Sequence, residues 1–453
     1  MATDNTHSAR DAAIVFEPKP NRSAPVASVG VIGWLRENLF YSWFSTIVTL
    51  VVAWAMYESA IYLYDWGVTK AVFEAESRRQ CLNTSPDGAC WAGIIDWMNA
   101  FMYGRYPDAE QWRINLGVVL LIAWVLPFWL PNLKGKIGIG MSAVMVYPFL
   151  AAYLFLGGER GVFLNLMVFL AVAMLVLNWV HVVLFYLTGK TLTENVVRLT
   201  RFEHRPETTH KYPVLALVAV VWGCAYALLG DWQLELVRTN LWGGLFLTIV
   251  IAGVAIVSAL PGGVALALAR RSTMPVIRVF AITFIELFRS VPLITVLFMA
   301  VTMMPLFLPE DFQLNKLVQV MVGVCLFAAA YMAEVVRGGL QAIPNGQYEA
   351  AKAMGLSYWK MMNLVILPQA LKLMIPNIVG NFMGLLKDTT LVSIIGLYDM
   401  LNMLKAVGQN PIWIGLHKEP LVFGAAIYFV LCFAMSKYSQ RLERTIGQGN
   451  TGR

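Results

Sequence analysis

Few residues in this sequence combine type and spacing in ways that could do chemistry, and those that do are charged groups set among apolar runs. Glu349 stands in the first turn of a short helical pattern, Gln347 to Met354, where the positive end of the helix dipole favours a carboxylate. That carboxylate is suited to a charged or hydrogen-bonding partner. Glu286 and Arg289 lie three residues apart ahead of Pro292, the spacing of an i,i+3 ion pair on a short helix. Two roles stay open for Arg289: an anchor at a membrane surface, or a guide that positions a loop against neighbouring helices. Glu334 lies deep in one apolar stretch, and Lys387, Asp388 and Thr389 lie deep in another. Charges at such depth cost about 2.5 to 3.5 kcal/mol each on insertion scales, so they need partners or water. Adjacent helical residues point about 100° apart, so Lys387 and Asp388 either sit where the chain unwinds or meet different partners. They either tie this span to its neighbours or line a path, where an ammonium could meet a substrate carboxylate and Asp388 or Thr389 its amino group. Cys81 and Cys90 flank the stretch Leu-Asn-Thr-Ser-Pro-Asp-Gly-Ala, whose turn residues bring the thiols close and make them a disulfide candidate on an oxidising side.

Other chemistries are missing their residues. There is no G-x-x-x-x-G-K-[ST] phosphate loop, so ATP hydrolysis by this chain alone is not expected. No Cys or His cluster has metal-ligand spacing, and no G-x-S-x-G elbow or zincin helix is present, so neither an enzyme nor a bound cofactor or metal is expected. His181, Cys224, Cys325 and Cys432 fall inside apolar runs and read as packing or interhelical hydrogen-bonding residues.

The elements that must position these groups are membrane helices. Of 453 residues 58% are hydrophobic and 13% charged, about half the charged share of a soluble protein, which makes lipid the solvent. The net charge of +7 is spread between the apolar runs, which argues against nucleic acid as a partner. Runs long enough to cross about 30 Å of hydrocarbon occur at 40–62, 114–130, 139–156, 162–187 and 212–229, then at 242–269, 291–308, 317–336, 366–395 and 421–435. This predicts an all-α, polytopic fold of about ten spans, five in each half. With the N-terminus inside, most Lys and Arg fall in inner loops, so both termini are expected in the cytoplasm. The domains follow: a polar arm 1–39 ending in a membrane-surface stretch, an N-terminal membrane region 40–230 with a large outer loop 65–112, a second membrane domain 242–437, and a tail 438–453.

Between the eighth and ninth runs, the inner segment reads IPNGQYEAAKAMGLSYWKMMNLVILPQA. Pro344, Asn345 and Gly346 suggest a turn with Asn345 as N-cap, Gly355 a left-handed stop, and Ser357 the cap of a second helix. The span 347–354 would then be a helix of roughly 12 Å lying across the inner surface. Glu349, Ala350 and Ala351, followed by Gly355, Val365, Leu367 and Pro368, resemble the EAA loop of bacterial ABC importer permeases. WGGLFLTIV, ELFRSVPLI, AAYMAEVVRGGLQAIPNGQ and LLKDTTLVSIIG are similar to the polar amino acid permease family, over about 242–437. The first half, with its Cys81/Cys90 loop, looks like the longer permeases of general L-amino acid and glutamate/glutamine/aspartate/asparagine systems.

The resemblance implies an importer subunit in the bacterial inner membrane. Its partners would be an ABC ATPase dimer carrying ATP-Mg, a second, related permease as heterodimer, a periplasmic amino-acid-binding protein and lipid. It places Gln347, Glu349, Ala350, Ala351, Gly355, Leu367 and Pro368 at the ATPase; the depth and spacing of Arg289, Pro292, Glu334, Lys387, Asp388 and Thr389 make them the candidates for the gate or path. The outer loop falls outside the permease core on this reading, and transport is expected to survive loss of its bridge. The rival reading is an ion-coupled secondary amino acid transporter, which would show two related halves; no internal repeat is visible.

Overall fold

The computed structural model describes residues 30–130, 133–159, 161–199, 211–230, 233–309 and 314–447. The expected arm therefore lies outside the described residues except for its last stretch, as do the end of the tail and most of the loop 200–210. In chain order the helices are α1 (Gly30–Asn38), α2 (Trp43–Tyr64), α3 (Arg78–Thr84), α4 (Ala92–Asp96), α5 (Met98–Tyr103), α6 (Gln111–Val125), α7 (Lys136–Leu156), α8 (Val162–Thr188), α9 (Leu192–Leu199) and α10 (Lys211–Leu229). They continue with α11 (Gly244–Arg270), α12 (Pro275–Ser290), α13 (Leu293–Thr302), α14 (Lys316–Ala342), α15 (Asn345–Ala353), α16 (Tyr358–Met361), α17 (Leu367–Leu373), α18 (Ile375–Asp388), α19 (Met400–Val407) and α20 (Lys418–Gly447). Among the described residues eight helical segments are long and apolar enough to cross a membrane; the bent pair α12–α13 makes a ninth, and α10 adds the shorter apolar helix Pro213–Leu228. The ten runs in the sequence thus each have a helical counterpart.

The chain divides into two compact units, residues 1–72 with 82–89, and 73–81 with 90–453. In the first, α2 starts on Ser42, whose hydroxyl accepts the Ser45 amide at 3.2 Å, and none of its residues is buried. Its apolar side chains, Trp54 and Tyr57 among them, are exposed, as a helix solvated by lipid requires.

The core of the second unit is the pair α11 and α14. Lipid tails are as apolar as leucine, so helices associate there by close packing of small residues. Ala255, Ala259, Gly263 and Ala267 recur every fourth residue along α11 and all are buried. A Cβ on Gly263 would stand 2.6 Å from Met332 Cγ and 2.9 Å from the Ala333 amide nitrogen, so this glycine is what lets α14 seat. His181 is a hydrogen-bonding residue: Nε2 meets the Lys134 carbonyl at 2.8 Å, and Nδ1 accepts the Leu192 amide at 3.0 Å. Cys325 and Cys432 are partly buried, whereas Cys224 is exposed and so is not the packing residue expected.

Three expectations change. The run 291–308 is not a straight span, because Val291 ahead of Pro292 is pushed into extended geometry, and α12 and α13 bend by 107° there. The run 366–395 is broken into a π turn at Met362–Ile366, then α17, then α18, then a tight 3-10 segment Thr389–Ile395. The part of the outer loop that belongs to the second unit, 73–81 and 90–112, is packed into that unit. Cys81 and Cys90 are bridged with their Cα atoms 5.8 Å apart, the Cys90 amide donates to Glu419 at 3.2 Å, and Arg78 pairs with the same carboxylate. Trp413 donates to Asp96 at 2.8 Å, and the buried Phe101 of α5 packs on Phe423 of α20 at 5.7 Å. The contacts to Glu419, Trp413 and Phe423 join residues more than 300 apart in sequence, so hydropathy alone does not reveal them.

Candidate coupling and gating site

Beyond Glu334 the chain leaves α14 through Ile343 and Pro344 and turns directly into α15, which starts eleven residues after that carboxylate. Pro344, extended at φ −59° and ψ 143°, is the N-cap residue, and its carbonyl accepts the Gln347 amide at 3.0 Å. Asn345 is therefore inside the helix and makes no side-chain cap, contrary to the expected turn: proline's fixed φ sets the start one residue earlier. The helix is about 14 Å long. Ala351 is buried with Ile343, Met361 and Ile366, whereas Glu349 and Ala350 are exposed. A small side chain inward and a carboxylate outward give this helix one face packed on its own chain and one face left exposed. Gly355, at φ +74°, ends it; its amide donates to Lys352 at 2.9 Å, and the Leu356 amide to Ala351 at 3.2 Å. Ser357 is the N-cap residue of α16, though its hydroxyl makes no cap bond. Leu367 is buried and Pro368 exposed in the first turn of α17, where a missing amide hydrogen costs nothing. Gln347 accepts a hydrogen bond from Gln369 at 3.2 Å, which ties α15 to α17.

The charged residues meet beside this helix. Glu334 is mostly buried and receives Arg270 at 2.6 Å, Arg337 at 2.6 Å and, more loosely, Arg289 at 3.8 Å. Arg270 also pairs with Glu286 at 3.2 Å. The expected Glu286–Arg289 pair is therefore not formed. Both side chains turn from each other because oppositely charged groups on α11 and α14 face α12, and a partner shielded between helices outbids one at the same helix surface. Arg289 also lies over the Tyr331 ring at 5.7 Å. Glu334 thus has the partners that its depth demands. Arg270 and Arg337, which supply two of them, fall in LARRS and in AAYMAEVVRGGLQAIPNGQ, segments similar to the polar amino acid permease family, but nothing in their spacing marks them as partners of Glu334. Arg271, next to Arg270, donates to the Tyr348 hydroxyl of α15 at 3.0 Å and stacks on its ring at 5.4 Å. Tyr348 in turn donates to the Leu340 carbonyl at 3.2 Å.

Lys387, Asp388 and Thr389 stand apart from that cluster. Lys387 is exposed, Asp388 half-buried and Thr389 buried, its hydroxyl donating to the Leu386 carbonyl at 2.8 Å. The helix tightens from α to 3-10 immediately after the pair, and among the described residues neither charge has an ion-pair partner. Thr389 faces Tyr428 of α20, which also faces Thr248 and Asp399. Asp399 was not signalled by its sequence surroundings. It is fully buried, accepts the Leu401 and Asn402 amides at 3.1 and 3.2 Å to cap α19, and its carboxyl is pushed up to about 6 by burial, against the pull of these amides and Lys405.

Known proteins are similar to this chain in sequence. The family described as "Binding-protein-dependent transport system inner membrane component" matches residues 259–448. The inner membrane amino-acid ABC transporter permease protein YhdY of Escherichia coli K12 is 39% identical over 95% of this chain and 97% of its own. The glutamate/glutamine/aspartate/asparagine transport system permease protein BztC of Rhodobacter capsulatus is 36% identical over 94% of this chain and 96% of its own. The glutamate/aspartate import permease protein GltK of Escherichia coli O6:H1 is 34% identical and aligns 91% of its length with 44% of this chain.

Proposed function

The chain belongs to the inner-membrane permeases of amino-acid ABC transporters, and from that premise we propose that it carries polar L-amino acids of the glutamate, glutamine, aspartate and asparagine class. It is a multi-pass permease subunit, and its family works with an ATPase and a substrate-binding protein. The finer assignments are ours. Residues 242–437 form the permease domain, preceded by the membrane region 40–230. The α15 end faces the cytoplasm with both termini, and the disulfide-bridged segment faces the periplasm. An ATPase dimer carrying ATP-Mg binds at Gln347, Glu349, Ala350 and Ala351, with Gly355, Leu367 and Pro368 holding that helix in place. A second, related permease completes the path. Arg289, Pro292 and Glu334 belong to the gate, and Lys387, Asp388 and Thr389 to the path.

The observation that carries the coupling role is the division of α15 into two faces, Ala351 buried and Glu349 exposed, on a helix stopped by Gly355 at positive φ. Closure of the ATPase dimer pulls this helix, and the membrane helices rock between outward and inward access. A Glu349→Cys variant tests the assignment by cross-linking in inside-out vesicles containing the whole importer. A thiol cross-linker should join this chain to the ATPase, and ATP should change the yield. Cross-links to lipid or to other membrane chains only would contradict it. Competition of labelled glutamate uptake by glutamine, aspartate and asparagine, with leucine and lysine as controls, tests the substrate class.

A further inference from the structure

Two consecutive arginines at the end of α11 look in different directions. Arg270 holds Glu334 of α14 at 2.6 Å and Glu286 of α12 at 3.2 Å. Arg271, the C-cap residue, holds Tyr348 of α15 through a 3.0 Å hydrogen bond and a ring stack at 5.4 Å. Neighbouring helical side chains diverge by about 100°, so one dipeptide can grip separate elements. We propose that Arg270 and Arg271 are the joint through which movement of α15 reaches the bent pair α12–α13; the proposal rests on α15 being the ATPase-coupling helix.

The connections on either side support a joint. α15 follows α14 after only Ile343 and Pro344, so a pull on α15 acts on α14 through the chain itself. Besides its tie to α17 through Gln347 and Gln369, α15 is attached by Tyr348 to Arg271, which brings in α11. At the same end Glu334 collects guanidiniums from α11, α12 and α14, while Arg337 on its own helix fixes its second oxygen at 2.6 Å and is itself held by Gln341 at 3.0 Å. The helices α11, α12, α14 and α15 are thus bound into one body at the α15 end. The link from α12 to Glu334, Arg289 at 3.8 Å, is the longest in the cluster. Glu286 with Arg270 is the other charged link from α12, and it is more exposed than Glu334. The grip on α12 is therefore the part that can slacken while α11 and α14 stay packed along their small-residue seam. Since α12 continues through the 107° bend into α13, what happens at Arg270 changes the direction of the bent pair. Arg270 and Arg271 are positioning residues on this account and touch no substrate.

A joint and a mere anchor differ in what breaks when they are loosened. Loosening an anchor lowers the amount of assembled transporter; loosening a joint leaves ATP being hydrolysed without import. The test uses the complete importer in proteoliposomes, with ATP consumption and labelled glutamate uptake read in the same vesicles. Arg271→Ala and Glu286→Gln, both at partly exposed sites, and Tyr348→Phe, which keeps the ring and removes the hydroxyl, are compared with wild type at matched ATPase content. Each should raise ATP consumed per glutamate imported by about fivefold or more, the low end of ordinary coupling energies, with the substrate concentration for half-maximal uptake unchanged. Arg271→Lys, which keeps the charge, should recover part of the loss. An unchanged ratio in all three variants, or uptake and hydrolysis falling together in proportion, overturns the joint. Gly355→Val run alongside separates this from the parent reading. If it imports normally, the coupling role of α15 fails and the joint with it; if it abolishes import while the three variants keep the wild-type ratio, only the joint fails.

Discussion

A side chain at Gly355 would meet no atom within 4 Å, so what a substitution there does must come from the backbone, held at φ +74°. A β-branched residue in that region costs roughly 1 to 2 kcal/mol, while asparagine tolerates it. Gly355→Val should therefore lose uptake with the protein still in the membrane, and Gly355→Asn should keep most of it; equal uptake by both would remove conformation as the cause. Asp399 gives a second prediction at this scale. Its folded-state value, about 6, lies above the ordinary carboxyl value of 3.8, so the stability it contributes is full below about pH 4 and is lost as pH rises through about 6. The difference of about two units corresponds to roughly 3 kcal/mol at most. In detergent, wild type should melt higher at pH 5 than at pH 7.5, and Asp399→Asn, which keeps an acceptor for the α19 amides, should show a flatter profile. An equally steep profile in Asp399→Asn would place the titration elsewhere. Gly355 was legible in the sequence because its signal is local: a helical pattern that must stop before a second one starts. Asp399 was not, since its burial comes from α11 and α20, and Glu286 and Arg289 misled because their spacing was right and their better partners were on other helices.

Helix α11 carries its packing code in a stripe of small residues, and the stripe predicts which glycine matters. Gly263 touches Met332 and the Ala333 backbone, whereas a Cβ on Gly253 of the same helix meets nothing within 4 Å. Gly263→Val should destabilise by about 1 to 3 kcal/mol from overpacking and lower the amount of folded protein, while Gly253→Ala should leave it unchanged or slightly raised. Fluorescence-detected size exclusion of the two variants decides it, and a well-folded Gly263→Val would mean that α14 does not seat there. Apolar length and charge placement made the existence of the helices readable. Their breaks were less so. Pro292 opens the apolar run 291–308, and the conformation it forces on Val291 sets α13 at 107° to the short helix α12 ahead of it. The bridged segment around Cys81 and Cys90 read as a separate outer loop because Glu419, Trp413 and Phe423, which hold it, come more than 300 residues later.

At the scale of the whole molecule, the chain is about twice what the short permease GltK aligns with, 44% of it, and the full-length likeness to YhdY and BztC covers the rest. The second compact unit nonetheless takes in α6 to α8 together with α11 to α20, so these three first-half helices belong to the same unit as the later ones. One buried residue shows how: Arg113 of α6 pairs with Glu110 at 2.6 Å and donates to the Glu235 carbonyl, just ahead of α11, at 2.6 Å. On the proposed function, this chain moves amino acids only when an ATPase drives it through α15. Two preparations of proteoliposomes test that claim directly, one with this chain alone under an imposed sodium or proton gradient, the other with the ATPase, the second permease and the binding protein, loaded with ATP-Mg. Labelled glutamate uptake is measured in both. Uptake is expected only in the second, stopped by omitting ATP or the binding protein and by Gly355→Val in this chain. Gradient-driven uptake by the chain alone would contradict it.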